Sequence, residues 1–408
     1  MRIPSLSQAL AAILVAVLVS ACGGSGSSAP PPAGGITVKA GDASATVTWT
    51  STPGVKYWLF YAPSNTISSS DWINIPGSRA ILDVTSPYVV SGLANGYTYS
   101  FTLNARNGDG PGGAGAPVVS IVPRPAGETW TAGANLGTNT VRSITYGTGA
   151  DLVGYFLAVG DAGSTYRSTD ALSWTAQPAA ANVNLNAATY ALGKFIAVGA
   201  SGRITYGTDL STWTTAVSNT NETLNAIASN GALAIAVGNN GTVRSSTDGV
   251  TWTAVAVPTS QHLNAIAYSG SGTWLAVGAG GTLLTSTTGT TWTAVASATT
   301  ANLNAIAVQT LTTYTYVAAG DGGAVVRSTD NGATWTSQNS GTTSDLMAIS
   351  PTTSQFLAIG SGGAVLTSAD GTTWTARNSG TSAKLHAIIN GFAKYVALGQ
   401  GGTSIISQ

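Results

Sequence analysis

From Ile36 to about Pro123, apolar and polar residues alternate in short runs: Ala45-Thr46-Val47-Thr48-Trp49, then Val55-Lys56-Tyr57-Trp58-Leu59-Phe60-Tyr61, then Tyr97-Thr98-Tyr99-Ser100-Phe101-Thr102-Leu103. A period of two predicts strands with one buried face. Clusters of Gly, Pro, Asn and Asp separate the runs, so residues 36–124 are expected to form a β-sandwich of about ninety residues. From Trp130 onward a different pattern takes over and recurs about every forty residues, a repeat length that points to a propeller or a solenoid.

The columns of that repeat can be read directly. Each unit opens with Leu-Asn-Ala-Ile or a variant, at Val141, Leu185, Leu224, Leu263, Leu303, Leu346 and Leu385. An apolar strand follows and ends in Ala-Val-Gly or similar, at Gly160, Gly199, Gly238, Gly278, Gly320, Gly360 and Gly399. A second glycine three residues later fits a tight hairpin that needs positive φ. Then comes Ser-x-Asp-Gly-x-x-Trp in several dialects, as in Ser246-Thr247-Asp248-Gly249-Val250-Thr251-Trp252. The seventh unit stops at Ser407-Gln408, before its aspartate turn and Trp, while Trp130-Thr131-Ala132 stands spare upstream. The expected fold is therefore all-β, a sandwich followed by a seven-bladed propeller over 128–408. Residues 128–133 are expected to pair with 385–408, which removes exposed sheet edges.

Two resemblances refine this. Trp49, Leu93-Ala94-Asn95-Gly96-Tyr97-Thr98-Tyr99 and Ala105-Arg106-Asn107-Gly108-Asp109-Gly110 resemble a fibronectin type III domain. That resemblance implies a spacer or binding module with Tyr99 as its tyrosine corner and Trp49 in its core. The Ser-x-Asp-Gly-x-x-Trp segments resemble Asp-boxes, the bacterial neuraminidase (BNR) repeats of sialidases, some xyloglucanases and the photosystem II assembly factor family. Asp170, Asp209, Asp248, Asp330 and Asp370 are then expected to accept hydrogen bonds from their own turns, a structural role. Thr288 and Gly207 replace motif residues in two blades, whose turns are expected to be held less firmly. The whole repeat is most similar to the photosystem II assembly factor family, which implies a non-catalytic platform for other proteins. That family carries an arginine-rich patch, whereas only nine Arg or Lys residues are scattered through this propeller.

The N-terminus adds a location. Arg2 precedes the apolar stretch Ala9 to Ala21, and Val19-Ser20-Ala21-Cys22 closes it as a lipobox. The stretch is too short for a mature helix spanning roughly 30 Å, so 1–21 are expected to be a removed lipoprotein signal peptide. A secretory signal with an incidental cysteine is the plainer alternative. Cys22 is the only cysteine, so no disulfide can form within the chain, and its expected role is to carry lipid. Residues 22–35 combine Gly/Ser with a Pro run and read as a tether. Gly23 after the cysteine resembles lipoproteins sent to the outer membrane. Charged residues make up 7% of the chain and cancel in sign, which offers nucleic acid no electrostatic footprint.

Candidate chemistry centres on the second column of the repeat: Arg142, Asn186, Asn225, Asn264, Asn304, Met347 and His386. These residues are expected around the central channel, on the face where ligands usually meet a propeller. Amides with one Arg and one His could hydrogen-bond a sugar, a peptide loop or a chain end. Alternatively, each Asn fastens its strand to the neighbouring blade. A further column, Phe156, Phe195, Trp274, Tyr316, Phe356 and Tyr395, reads as packing between blades. Catalytic material is sparse. Asp161 and Asp321 occupy matching hairpins far apart, and Asp345 alone could approach Asp321. Glu128 and Glu222 fall off the inner strands, and Arg2-Ile3-Pro4, similar to the sialidase arginine motif, lies in the signal. No spacing suggests a metal or cofactor site. The resulting expectation is a non-enzymatic, lipid-anchored cell-envelope protein, monomeric, that binds an envelope protein or glycan. The alternative is a glycoside hydrolase of sialidase-like or xyloglucanase-like type.

Overall fold

A computed structural model describes residues 26–125, 127–310, 314–352, 354–391 and 394–407. The signal, Cys22 and Gln408 lie outside them. The chain divides into two compact units, Met1–Arg124 and Pro125–Gln408.

The first unit is a sandwich. One sheet pairs Thr37–Gly41, Ser44–Thr48 and Tyr88–Ser91, and the other is built on the long strand Tyr99–Asn107 against Val55–Ala62, with Arg79–Ile81 beyond it. Period-two alternation sends Val47, Tyr57, Leu59, Phe101 and Leu103 inward, and Trp49, one residue past its strand, joins the same core. The Tyr99 hydroxyl accepts the Ala94 N–H at 3.1 Å, the corner that the resemblance implies. Part of the segment read as tether belongs to this unit. The last strand, Val119–Ile121, covers only Tyr99–Phe101, so the far end of the long strand presents an unpaired edge, and Ser27–Ala29 fill it opposite Ala105–Asn107. Open backbone groups at a sheet edge explain why an apolar-poor segment is ordered there.

The second unit is a ring of seven four-stranded sheets. Their innermost strands are Val141–Thr148, Leu185–Ala191, Leu224–Ser229, Leu263–Tyr268, Leu303–Thr310, Leu346–Pro351 and Leu385–Gly391, which define blades 1 to 7. Each of these strands packs beside the next, and that of blade 7 packs beside that of blade 1. The second strands are buried along almost their whole length, and the aromatic column on them is 2% exposed or less, wedged between blades. In blade 3 that column carries Ala234 instead.

Each hairpin after the second strand turns through two successive residues in the left-handed region, such as Ala162 and Gly163 at φ +54° and +70°. Its last glycine, such as Gly163 or Gly323, sits at φ near +70° to +75°, where a Cβ is disfavoured.

The outermost strand of blade 7 comes from the other end of the unit. Thr131–Ala132 pair with Ile406 and Ile405. The turn that precedes this strand is also shared, because Gly127 N–H donates to Ser407 Oγ at 3.0 Å and Trp130 Nε1 donates to Gly127 O at 3.0 Å. Blades 3 and 5 make the same bond within one chain segment, from Gly249 N–H to Ser246 Oγ and from Gly332 N–H to Ser328 Oγ. The seventh serine turn is thus split between the two ends of the propeller segment, a detail the spare Trp130 announces but the spacing alone does not show.

Candidate ligand face at the channel mouth

Every innermost strand begins with a β-bulge, and the extra residue in each is the second-column residue. The pairing skips from Val141 to Ser143 in blade 1, from Leu185 to Ala187 in blade 2, and likewise in the other five. A bulge leaves its residue out of the ladder and re-aims its side chain. Arg142, Asn186, Asn225, Asn264, Asn304, Met347 and His386 are accordingly half-buried, one per blade around the ring.

The four asparagines have a common partner. Asn186 Nδ2 donates to Leu224 O at 3.0 Å, Asn225 to Leu263 O at 3.0 Å, Asn264 to Leu303 O at 3.1 Å and Asn304 to Leu346 O at 3.3 Å. Each ties its bulge to the first residue of the next blade, so the fastening role is the one the geometry supports. Each spends an amide N–H on the ring, and among the described residues those that interrupt the asparagines make no such bond.

Arg142 and His386 interrupt the ladder together with Met347. Arg142 Nε meets Asp161 Oδ1 at 2.6 Å, across the mouth of blade 1's own hairpin. Burial pushes the His386 imidazole down to about 4, Lys384 and Arg142 push the same way, and Asp161 opposes them. His386 is therefore neutral near pH 7, with one ring N–H and one acceptor nitrogen.

Asp321, Asp345 and Asp151 are bound into the scaffold. Asp321 accepts from Asn302 Nδ2 at 2.9 Å and Asn304 Nδ2 at 2.7 Å, while Asp345 accepts the Gly322 N–H at 3.0 Å. The Asp345 contact belongs to a second column that sequence reading missed: Asn184, His262 and Asn302 make the same bond to Ala162, Asn240 and Gly280 of the preceding hairpin. Side chains of three types share one role, an acceptor just before the innermost strand, so residue identity gives little signal. Asp151 accepts from the Tyr155 hydroxyl, and that bond holds its carboxyl below the usual carboxylate range.

On the opposite face, Asp170, Asp209, Asp248 and Asp370 each accept two backbone N–H groups two and three residues ahead, for example Val250 and Thr251 to Asp248 at 2.8 and 2.7 Å. Asp330 takes the Thr334 N–H at 2.9 Å. Thr288, standing where the aspartate would be, reaches its two amides at only 3.2 Å. The amides hold these carboxylates ionised: Thr212 N–H first brings Asp209 down to about 2, and the Thr334 hydroxyl and amide bring Asp330 to about 2. Among the described residues no group of three or more His, Cys, Asp or Glu could hold a metal ion.

Residues 29–121 match the fibronectin type III domain family. No curated protein matches the chain. The ring is similar to solved propellers. "YCF48 bound to D1 peptide" aligns at 18% identity with a TM-score of 0.56, over 68% of this chain and 96% of that one. YCF48 from Cyanidioschyzon merolae aligns at 17% identity with a TM-score of 0.54, over 68% of this chain and 98% of that one. The WD40 propeller domain of Doa1 aligns at 11% identity with a TM-score of 0.55, over 69% of this chain and 97% of that one. At these identities the likeness is one of fold, and the chain joins a fibronectin type III domain to a β-propeller similar to these.

Proposed function

We propose that this chain is a non-catalytic scaffold of the cell envelope, anchored by lipid at Cys22, that binds a protein partner on the propeller face where the innermost strands begin. One observation carries the reading. The bulges place Arg142 and His386 in neighbouring blades among the seven residues that ring the strand starts, while Asp321 accepts from Asn302 and Asn304 and Asp345 accepts the Gly322 N–H. A solved propeller of similar shape holds a peptide in its own structure, which favours a protein over a glycan. The aspartate turns, read as Asp-boxes, fasten the outer strands on the other face.

Two measurements on the full-length protein test this together. In membrane fractionation, Cys22→Ser is expected to move the protein from the membrane to the soluble fraction, and unchanged partition would remove the lipid anchor from the proposal. Purified mature protein is expected to show no turnover of sialosides or of plant and bacterial glucans. Clear hydrolysis of any of them would replace the scaffold reading with glycoside hydrolysis.

A further inference from the structure

The amide ladder does not close. It runs through blades 2, 3, 4 and 5, and its three interruptions, Met347, His386 and Arg142, fall in blades 6, 7 and 1, which are consecutive around the ring. By the ladder's register, the carbonyls left without a side-chain donor are Leu385 O opposite Met347, Val141 O opposite His386 and Leu185 O opposite Arg142. No side chain among the described residues donates to any of them. Among the described residues one arc of the mouth thus carries this inter-blade bond in every blade and the other arc carries it in none.

The open arc also holds the local charge. Asp161 takes Arg142 Nε at 2.6 Å and so fixes the guanidinium, whose two terminal nitrogens have no protein partner among the described residues. The side chains of this pair are about a third exposed, at 33% and 30%. Lys384 precedes His386 and acts on it electrostatically, as do Arg142 and Asp161, so these four groups share one neighbourhood. Two cations face one anion there, in a chain whose net charge is zero.

We propose that this arc is a recognition site for the terminal carboxylate of a peptide chain. The proposal rests on the scaffold reading above and names what the scaffold would grip. A guanidinium held by its Nε presents its other two nitrogens as a fork that matches a carboxylate. The carbonyls of Val141, Leu185 and Leu385 accept N–H donors, which a peptide supplies beside its terminus. A sugar acid would bring hydroxyl donors as well, but the repeat's aromatic column is buried between blades and offers it no ring face at the strand starts.

The test uses the mature full chain and a pool of tetrapeptides randomised at every position, immobilised through the N-terminus, with the C-terminus either free or amidated. Retention on the free-acid pool is expected to exceed the amide pool by at least about tenfold, the scale of a charge-assisted hydrogen bond. Arg142→Gln is expected to erase that difference. Met347→Asn with His386→Asn, which extends the ladder and covers two of the open carbonyls, is expected to weaken retention without lowering the melting temperature. Arg142→Lys serves if Arg142→Gln does not fold, and it too is expected to reduce retention because it lacks the fork.

Equal retention on both pools, retention on neither, or acid retention untouched by the Arg142 substitutions would overturn the proposal. Displacement of the retained protein by a glucuronic acid disaccharide, but not by free tripeptide acid, would overturn the peptide assignment. Capture from envelope extracts run in parallel separates the two readings. A partner held equally by the parent and by the Arg142 variant sinks this site alone, whereas no capture by the parent sinks the scaffold reading as well.

Discussion

At the scale of single residues, the same side chain does different work according to where its strand puts it. Asn264 reads in the sequence as one more polar residue in an apolar run, yet the bulge turns it out of the ladder and onto the carbonyl of the next blade. The sequence offered this fastening as one of two readings, but the bulge and the carbonyl it reaches were not legible, because pairing register is a property of two strands and not of one. The aspartate turns were legible, since an Asp two and three residues before free N–H groups closes its own loop. They make acid the condition that tests them. Asp209 and Asp330 are lowered to about 2, from an ordinary value of 3.8, by bonds to the ionised form. A depressed carboxyl contributes stability above its unfolded value and loses it as pH falls through the folded one. Thermal melts are therefore expected to hold steady above about pH 5 and to fall progressively towards pH 2. A melting temperature unchanged across that range would mean the turns contribute nothing, and Asp248→Asn should then also be silent.

At the scale of elements, the seventh blade is the instructive case. The forty-residue period and the spare Trp130 gave the closing strand, but the bond from Gly127 to Ser407 requires the two ends to meet in space. The edge strand Ser27–Ala29 was missed for a related reason, since nothing in Gly/Ser/Pro composition reveals that a partner strand has an unpaired end. Trp130 is half-buried, so the serine is the cleaner probe of closure. Ser246 and Ser407 are both buried and each accepts a buried glycine N–H. Ser246→Ala and Ser407→Ala are each expected to cost about 1–3 kcal/mol, because a buried donor is left unmade. Against a typical domain margin of roughly 5–15 kcal/mol, either shift would be readily seen in denaturant titration. If Ser407→Ala melts like the parent while Ser246→Ala does not, the split turn does not hold the ring.

At the scale of the whole molecule, the two faces of the propeller are unequal. On one face each carboxylate is locked into its own turn, and on the other the ring of bulge residues is half open. Composition had already said that few charges are available, so their concentration around His386 carries weight that a single arginine in a charged protein would not. Leu152, at the tip of the hairpin that ends blade 1's innermost strand, lies at the opposite end of that strand from Arg142 and is 86% exposed. Lys384 lies beside the strand starts. A photo-crosslinking residue placed at Lys384 or at Leu152, in mature protein incubated with envelope extract, compares the faces directly. The expected result is a discrete crosslinked partner from position 384 and none from position 152. A partner captured from 152 alone would contradict the assignment of the binding face.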